Sequence, residues 1–99
     1  MKIQVYADPG HAWGKVSIKL LVKLGIADKI SSFSYRHGNF AFLEEDCDLS
    51  LFQSAMITAG KTIEYQEFCG NKRSRIRNYD SYTFYGVNED LNNPFWGRR

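Results

Sequence analysis

Four places in this chain carry residue types capable of chemistry. In "VYADPGHAWGKV" (residues 5–16), Asp8 and His11 flank a Pro-Gly dipeptide, and a carboxylate beside an imidazole can move protons or supply two ligands to a metal. Proton transfer needs a titrating group within hydrogen-bond reach of a substrate, and a metal needs three or four ligands. Spacing alone supplies neither. Turn chemistry accounts for the same residues: Asp8 before Pro9, Gly10 as the permissive position, and Trp13 as the aromatic that seats a helix on a sheet. Gly10 and Gly14 lack the spacing of a phosphate-binding loop. Cys47 precedes a helical pattern, where a thiol is acidified, but Glu44, Glu45, Asp46 and Asp48 crowd it with negative charge and oppose the thiolate. No histidine partner for it is evident, so a Cys–His hydrolase is set aside. No catalytic residue, metal or cofactor is expected; a small enzyme using Asp8, His11 or Cys47 is the weaker alternative.

The remaining two places suit binding. "NKRSRIR" (71–77) puts Lys72, Arg73, Arg75 and Arg77 into six residues, with Tyr79 and Tyr82 close behind. Cations neutralise phosphates and aromatic rings stack on bases, the footprint of a nucleic-acid binder. Arginine equally docks carboxylates at protein interfaces, so phosphate and carboxylate both stay open as the ligand. Phe95 and Trp96, between Pro94 and Arg98, are typical interface anchors. The expected contact residues are therefore Lys72, Arg73, Arg75, Arg77, Tyr79, Phe95 and Trp96. The acidic "LEEDCD" (43–48) is read as helix capping in preference to a strip for a basic partner.

The elements must be small. Ninety-nine residues hold one domain with a modest core, and 43% hydrophobic content with 15% aromatics is ample to fold it. A net charge of +2 demands no polyanionic partner, but the acidic and basic blocks are segregated. Apolar runs are broken by Lys15, Lys19 and Lys23, so no membrane span is expected, and "MKIQVYAD" has no secretory pattern. A cytoplasmic protein follows, with Cys47 and Cys69 as thiols.

Period-two alternation over Ile3 and Val5 predicts a first strand, stopped at Asp8-Pro9-Gly10. Val16, Leu20 and Leu24, with Leu21 beside them, predict a helix from Trp13 to Leu24. On it Lys15, Lys19 and Lys23 form a solvated stripe, and Gly25 ends it. Phe33 and Tyr35, a turn at His37-Gly38-Asn39, then Phe40 and Phe42 predict a hairpin. Leu49, Phe52, Met56 and Ala59 predict a second helix, capped by Asp46 or Asp48 and stopped by Gly60. "TIEYQEF" (62–68) is a fourth strand, and a short one around Tyr82 to Tyr85 is a further candidate. Strand, helix, hairpin, helix, strand is the ferredoxin-like βαββαβ order: an α+β domain over 1–85, with two helices on one face of a four-stranded antiparallel sheet. Residues 86–99 form an irregular tail.

"DPGHAWGKV", "LVKLGIADKISSFSYRHGN", "FLEEDCDLSLF" and "RSRIRNYDSY" together resemble a group of small, mostly uncharacterised proteins encoded by tailed bacteriophages and other mobile elements, over roughly residues 3–82. The resemblance implies no catalytic residue. It implies a context, because accessory proteins of this kind often act stoichiometrically on host machinery, and many counter host immunity. By that analogy the expected function is a non-enzymatic, anti-CRISPR-like inhibitor that binds a bacterial defence protein or ribonucleoprotein complex in the host cytoplasm. The alternative is a small nucleic-acid-binding accessory protein using residues 72–77. Self-association through an edge strand is a third reading.

Overall fold

A Pro-Gly corner this close to a strand can turn the chain into a helix or back into a second strand, and here it does the latter. The structure, a computed structural model, describes residues 1–84. Strand β1 (Lys2–Ala7) pairs antiparallel with β2 (Ala12–Ser17) through the loop at residues 8–11. Helix α1 (Ile18–Lys23) follows β2 directly, its first turn capped by Ser17, whose Oγ accepts from the Leu20 amide at 3.1 Å. A 3-10 turn at Ala27–Lys29 leads to the hairpin β3 (Tyr35–His37) and β4 (Phe40–Glu44). Then come α2 (Asp48–Thr58), β5 (Glu64–Cys69), a 3-10 turn at Arg75–Asn78, and the short β6 (Asp80–Ser81).

The sheet is six-stranded and mixed, in the order β5-β1-β2-β4-β3-β6. Strand β5 runs parallel to β1, and every other pairing is antiparallel. The expected ferredoxin-like arrangement, a four-stranded antiparallel sheet with two full helices, is therefore incorrect. The reason lies in residues 12–17. Val16, Leu20 and Leu24 do fall four apart, but Ala12, Gly14 and Val16 also alternate with Trp13, Lys15 and Ser17, and the strand pattern wins because β1 and β4 flank it on both sides. Only the last turn and a half of the expected first helix survives. The lysine stripe dissolves with it, since Lys15 sits on a strand. The hairpin, the second helix and the strand after it form near where the residue pattern puts them, but Phe33 lies in a turn before β3, His37 belongs to that strand, and β5 begins at Glu64 and not at Thr62. Gly25 and Gly60 stop their helices with positive φ, at +74° each. The last strand forms two residues before Tyr82; Tyr85, the tail 86–99 and its Phe95 and Trp96 lie outside the described residues.

One sheet face carries the main core. Ile3, Val5, Val16, Ala41 and Leu43 point to it and pack with Leu21, Leu49, Phe52 and Met56, each large side chain contributing about 2 kcal/mol by leaving water. Gly14 lets α2 lie close, for a Cβ there would come within 2.6 Å of Leu49 Cδ1. The start of α2 is not capped as expected. Cys47 holds the cap position without a side-chain bond, while Asp48 turns inward and accepts from the Ser31 amide and from the Ser31 and Ser34 hydroxyls. That buried carboxylate ties α2 to the loop before β3.

Strand order dictates the other face. Strands β5 and β6 lie on opposite edges yet follow each other in the chain, so residues 70–79 must cross the whole sheet. The α2 connection already occupies the core face, and the crossing strap takes the opposite one. Ile76 packs there against Trp13 and Phe42, with Tyr6, Tyr35 and Tyr79 around them. Trp13 thus seats the strap, not a helix.

Candidate functional site

Alternation along the strands decides which side chains the strap covers. Tyr6 on β1, Trp13 and Lys15 on β2, Phe40 and Phe42 on β4, Tyr35 and His37 on β3, and Phe68 on β5 all share this face, because each is in register with another of the set or two residues removed. The result is a sheet surface tiled with rings. Tyr6 stacks on Phe68, centroids 5.4 Å apart and planes 18° off parallel. His37 stacks on Tyr79 at 4.3 Å and 13°. Lys15 Nζ lies 4.3 Å from the centre of the Phe40 ring. Trp13 and Phe42 are buried and belong to the core; Phe40 and Phe68 are 41% and 42% exposed and leave ring surface open to a ligand.

The strap is fastened at one point. Arg77 grips Asp8 with both arms of its guanidinium, Nε to Oδ2 at 2.7 Å and Nη2 to Oδ1 at 2.9 Å, while its Cζ lies 5.1 Å from the centre of the Trp13 ring. Asp8 also accepts from the amides of Gly10, His11 and Ser74. Its side chain is 2% exposed. Arg77 first, and then the Ser74 amide, hold the Asp8 carboxyl far below the usual carboxylate range, and burial only partly opposes them. Asp8 in turn pushes the Arg77 guanidinium up. A carboxylate so saturated has no lone pair left to take a proton from a substrate, which leaves it a clasp.

Of the four expected cations, then, one is committed inside the protein. Lys72, Arg73 and Arg75 are exposed on the strap; Arg73 reaches Asn78 Oδ1 at 3.3 Å, and neither Lys72 nor Arg75 has an ion-pair partner among the described residues. Ser74 caps the turn that follows by accepting from the Ile76 amide, and within that turn Ile76 is buried while Arg75 stays exposed. Between strap and sheet lies a shallow cleft of about 140 Å³, lined by Tyr6, Lys15, Phe42, Ser74, Arg75, Ile76 and Tyr79. Two half-buried tyrosines, a phenylalanine floor and two cations meet there.

The structure brings together Arg75 and Tyr79 of the expected set and adds Tyr6, Lys15 and Phe42, which sequence reasoning missed. Period-two alternation on β1 and β4 was the available signal for Tyr6 and Phe42; Lys15 was hidden by its assignment to a helix. Tyr82 is buried on the core side, donating its hydroxyl proton to the Ala27 carbonyl. The acidic block and the basic block do not meet: among the described residues no ion pair joins them. Cys47 and Cys69 are both free and exposed, and the charge of Asp48, then burial, then Glu44 push the Cys47 thiol up, against nucleophile formation.

Comparison of the chain with protein-family models, with curated proteins and with solved structures finds no match in any of the three. Among the described residues no helix is long and apolar enough to cross a membrane.

Proposed function

We propose that this protein binds single-stranded nucleic acid on the strapped face of its sheet and catalyses no reaction there. One observation carries the reading: Lys15 and Arg75 line the same cleft as Tyr6, Phe42 and Tyr79, so that cations and ring faces are offered together. Unpaired bases expose their faces to aromatic side chains, each stack being worth about 1–3 kcal/mol, whereas a duplex hides them. Lys72 and Arg73, on the same strap, extend the positive path for the backbone. Phe40 and Phe68 supply further ring surface on either side.

The phage resemblance supplies a setting in which such a binder would occupy the nucleic acid of a host defence complex. That inhibitory role rests on the resemblance and not on the cleft. Fluorescence anisotropy with a labelled single strand of about 16 nucleotides, at the upper end of single-module site sizes, tests the reading directly. The expected result is saturable binding to the single strand, weaker binding to the corresponding duplex, and loss of affinity in Tyr6→Leu and Arg75→Gln. A parallel capture from bacterial lysate, with and without nuclease, separates the alternatives. Retention of a discrete protein complex that survives nuclease, with no oligonucleotide binding, would overturn the proposal in favour of a protein-directed inhibitor.

A further inference from the structure

Beside the clasp that fastens the strap, we infer that His11, Glu44 and Asp46 form a binding site for a divalent transition-metal cation. Asp8 is withdrawn from metal chemistry by Arg77, but the same β1–β2 loop delivers His11 to the end of β4. The His11 backbone is fixed twice, its amide donating to Asp8 Oδ1 at 3.0 Å and its carbonyl accepting from the Asp8 amide at 2.9 Å. Across the ladder Trp13 faces Glu44, and the Glu45 amide donates to the Ala12 carbonyl at 3.1 Å, so residues 44–46 run beside His11. Register, not sequence proximity, makes the site.

The atoms are already gathered. His11 Nδ1 is 3.7 Å from Glu44 Oε1, and one ligand atom from each of His11, Glu44 and Asp46 lies within 4.8 Å of the others. Two ligands on bonds of about 2.1 Å stand about 3–4 Å apart around an ion, so closure needs a small rotation. The exposed side chains of His11 and Asp46 can make it. Glu44 is the fixed member: its side chain is 12% exposed, and Oε2 is held by the Asp46 amide at 3.1 Å, which leaves Oε1 towards His11. Among the described residues Glu44 has no lysine or arginine partner, only an imidazole that is charged when protonated. A largely buried carboxylate beside two further acids, Glu45 and Asp46, gains most from a cation that also satisfies the imidazole nitrogen.

The donor set selects the ion. One imidazole nitrogen with two carboxylate oxygens suits Zn²⁺, Co²⁺ or Mn²⁺, since imidazole disfavours the alkaline earths and the absence of thiolate disfavours soft ions. Three protein ligands leave positions for water. Cys47, though adjacent, contributes no atom to the cluster.

Trp13 is the natural reporter, its ring centre lying 6.1 Å from that of His11. In a Trp96→Phe background, Co²⁺ is expected to quench Trp13 emission saturably, and Zn²⁺ to reverse the quenching by displacement. His11→Gln and Asp46→Asn should each weaken Co²⁺ at least about tenfold, as loss of even an outer-sphere partner commonly does. Cys47→Ser should leave it unchanged. Amide spectra recorded with Zn²⁺ on the same variants provide the second readout, with shifts expected around residues 10–12 and 43–47 and folding verified from the rest of the spectrum. Quenching that does not saturate, that persists undiminished in both ligand variants, or that disappears in Cys47→Ser would overturn the assignment.

Discussion

Neutralising the strap should change how binding responds to salt, and the structure fixes by how much. Each phosphate neutralised on a single strand contributes about −0.7 to the slope of log affinity against log salt concentration. The chain offers four cations at 72–77, but Arg77 is locked to Asp8, so the strap presents three, and Lys15 in the cleft restores the total to four. The expected slope is about −2.8, so raising salt from about 50 to 200 mM should weaken binding about 50-fold. In the triple variant Lys72→Gln, Arg73→Gln, Arg75→Gln only Lys15 remains, and the same change in salt should cost about threefold, with a slope near −0.7. The assay is anisotropy of a labelled single strand across a salt series, with the fold of each variant checked by circular dichroism. A wild-type slope near zero, or a slope that the triple variant leaves intact, would refute the assignment of these side chains to phosphate.

Asp8→Asn should loosen the strap, lowering the thermal midpoint and the hydrogen-exchange protection of the Ser74 amide, whose acceptor is Asp8 Oδ2. Because the folded carboxyl titrates below its unfolded value of about 3.9, the clasp contributes fully above that pH and is lost as pH falls towards the folded pKa. The gap in stability between wild type and Asp8→Asn should therefore narrow on acidification below about pH 4, and a gap independent of pH would contradict the clasp. Asp48→Ala removes the acceptor of three donors at the start of α2 and should destabilise by about 3 kcal/mol in urea unfolding with an unchanged slope; a loss under about 1 kcal/mol would show those bonds to be dispensable. Gly14→Ala should cost about 1–3 kcal/mol through collision with Leu49, and adding Leu49→Ala should recover part of that loss in a double-mutant cycle.

Much of the local structure was legible in the residues. The hairpin over 35–44 announces itself through ring alternation and Gly38, which takes φ +60° in its turn; α2 does so through Leu49, Phe52 and Met56, and both helix stops through glycine. The basic block and the turn at Asp8-Pro9-Gly10 were legible too, because charge density and turn chemistry are properties of neighbouring residues, although that turn leads into β2 and not into the expected helix. Residues 12–17 were misread because a helical and an alternating pattern coexist there, and only the strands on either side choose between them. Sequence periodicity reports which face of an element is apolar, and it therefore determined the pieces. The parallel pairing of β1 with β5 was decided over the whole fold, since it depends on α2 carrying the chain beneath the sheet. From that one pairing follow the strap across the far face, the capture of Arg77 by Asp8, and the cleft in which Lys15 meets Arg75. The meeting of His11 with Glu44 and Asp46 has a separate long-range cause, the register of β2 against β4. Side chains distant in sequence meet only where backbone hydrogen bonding sets strand order and register, and no local pattern encodes that choice.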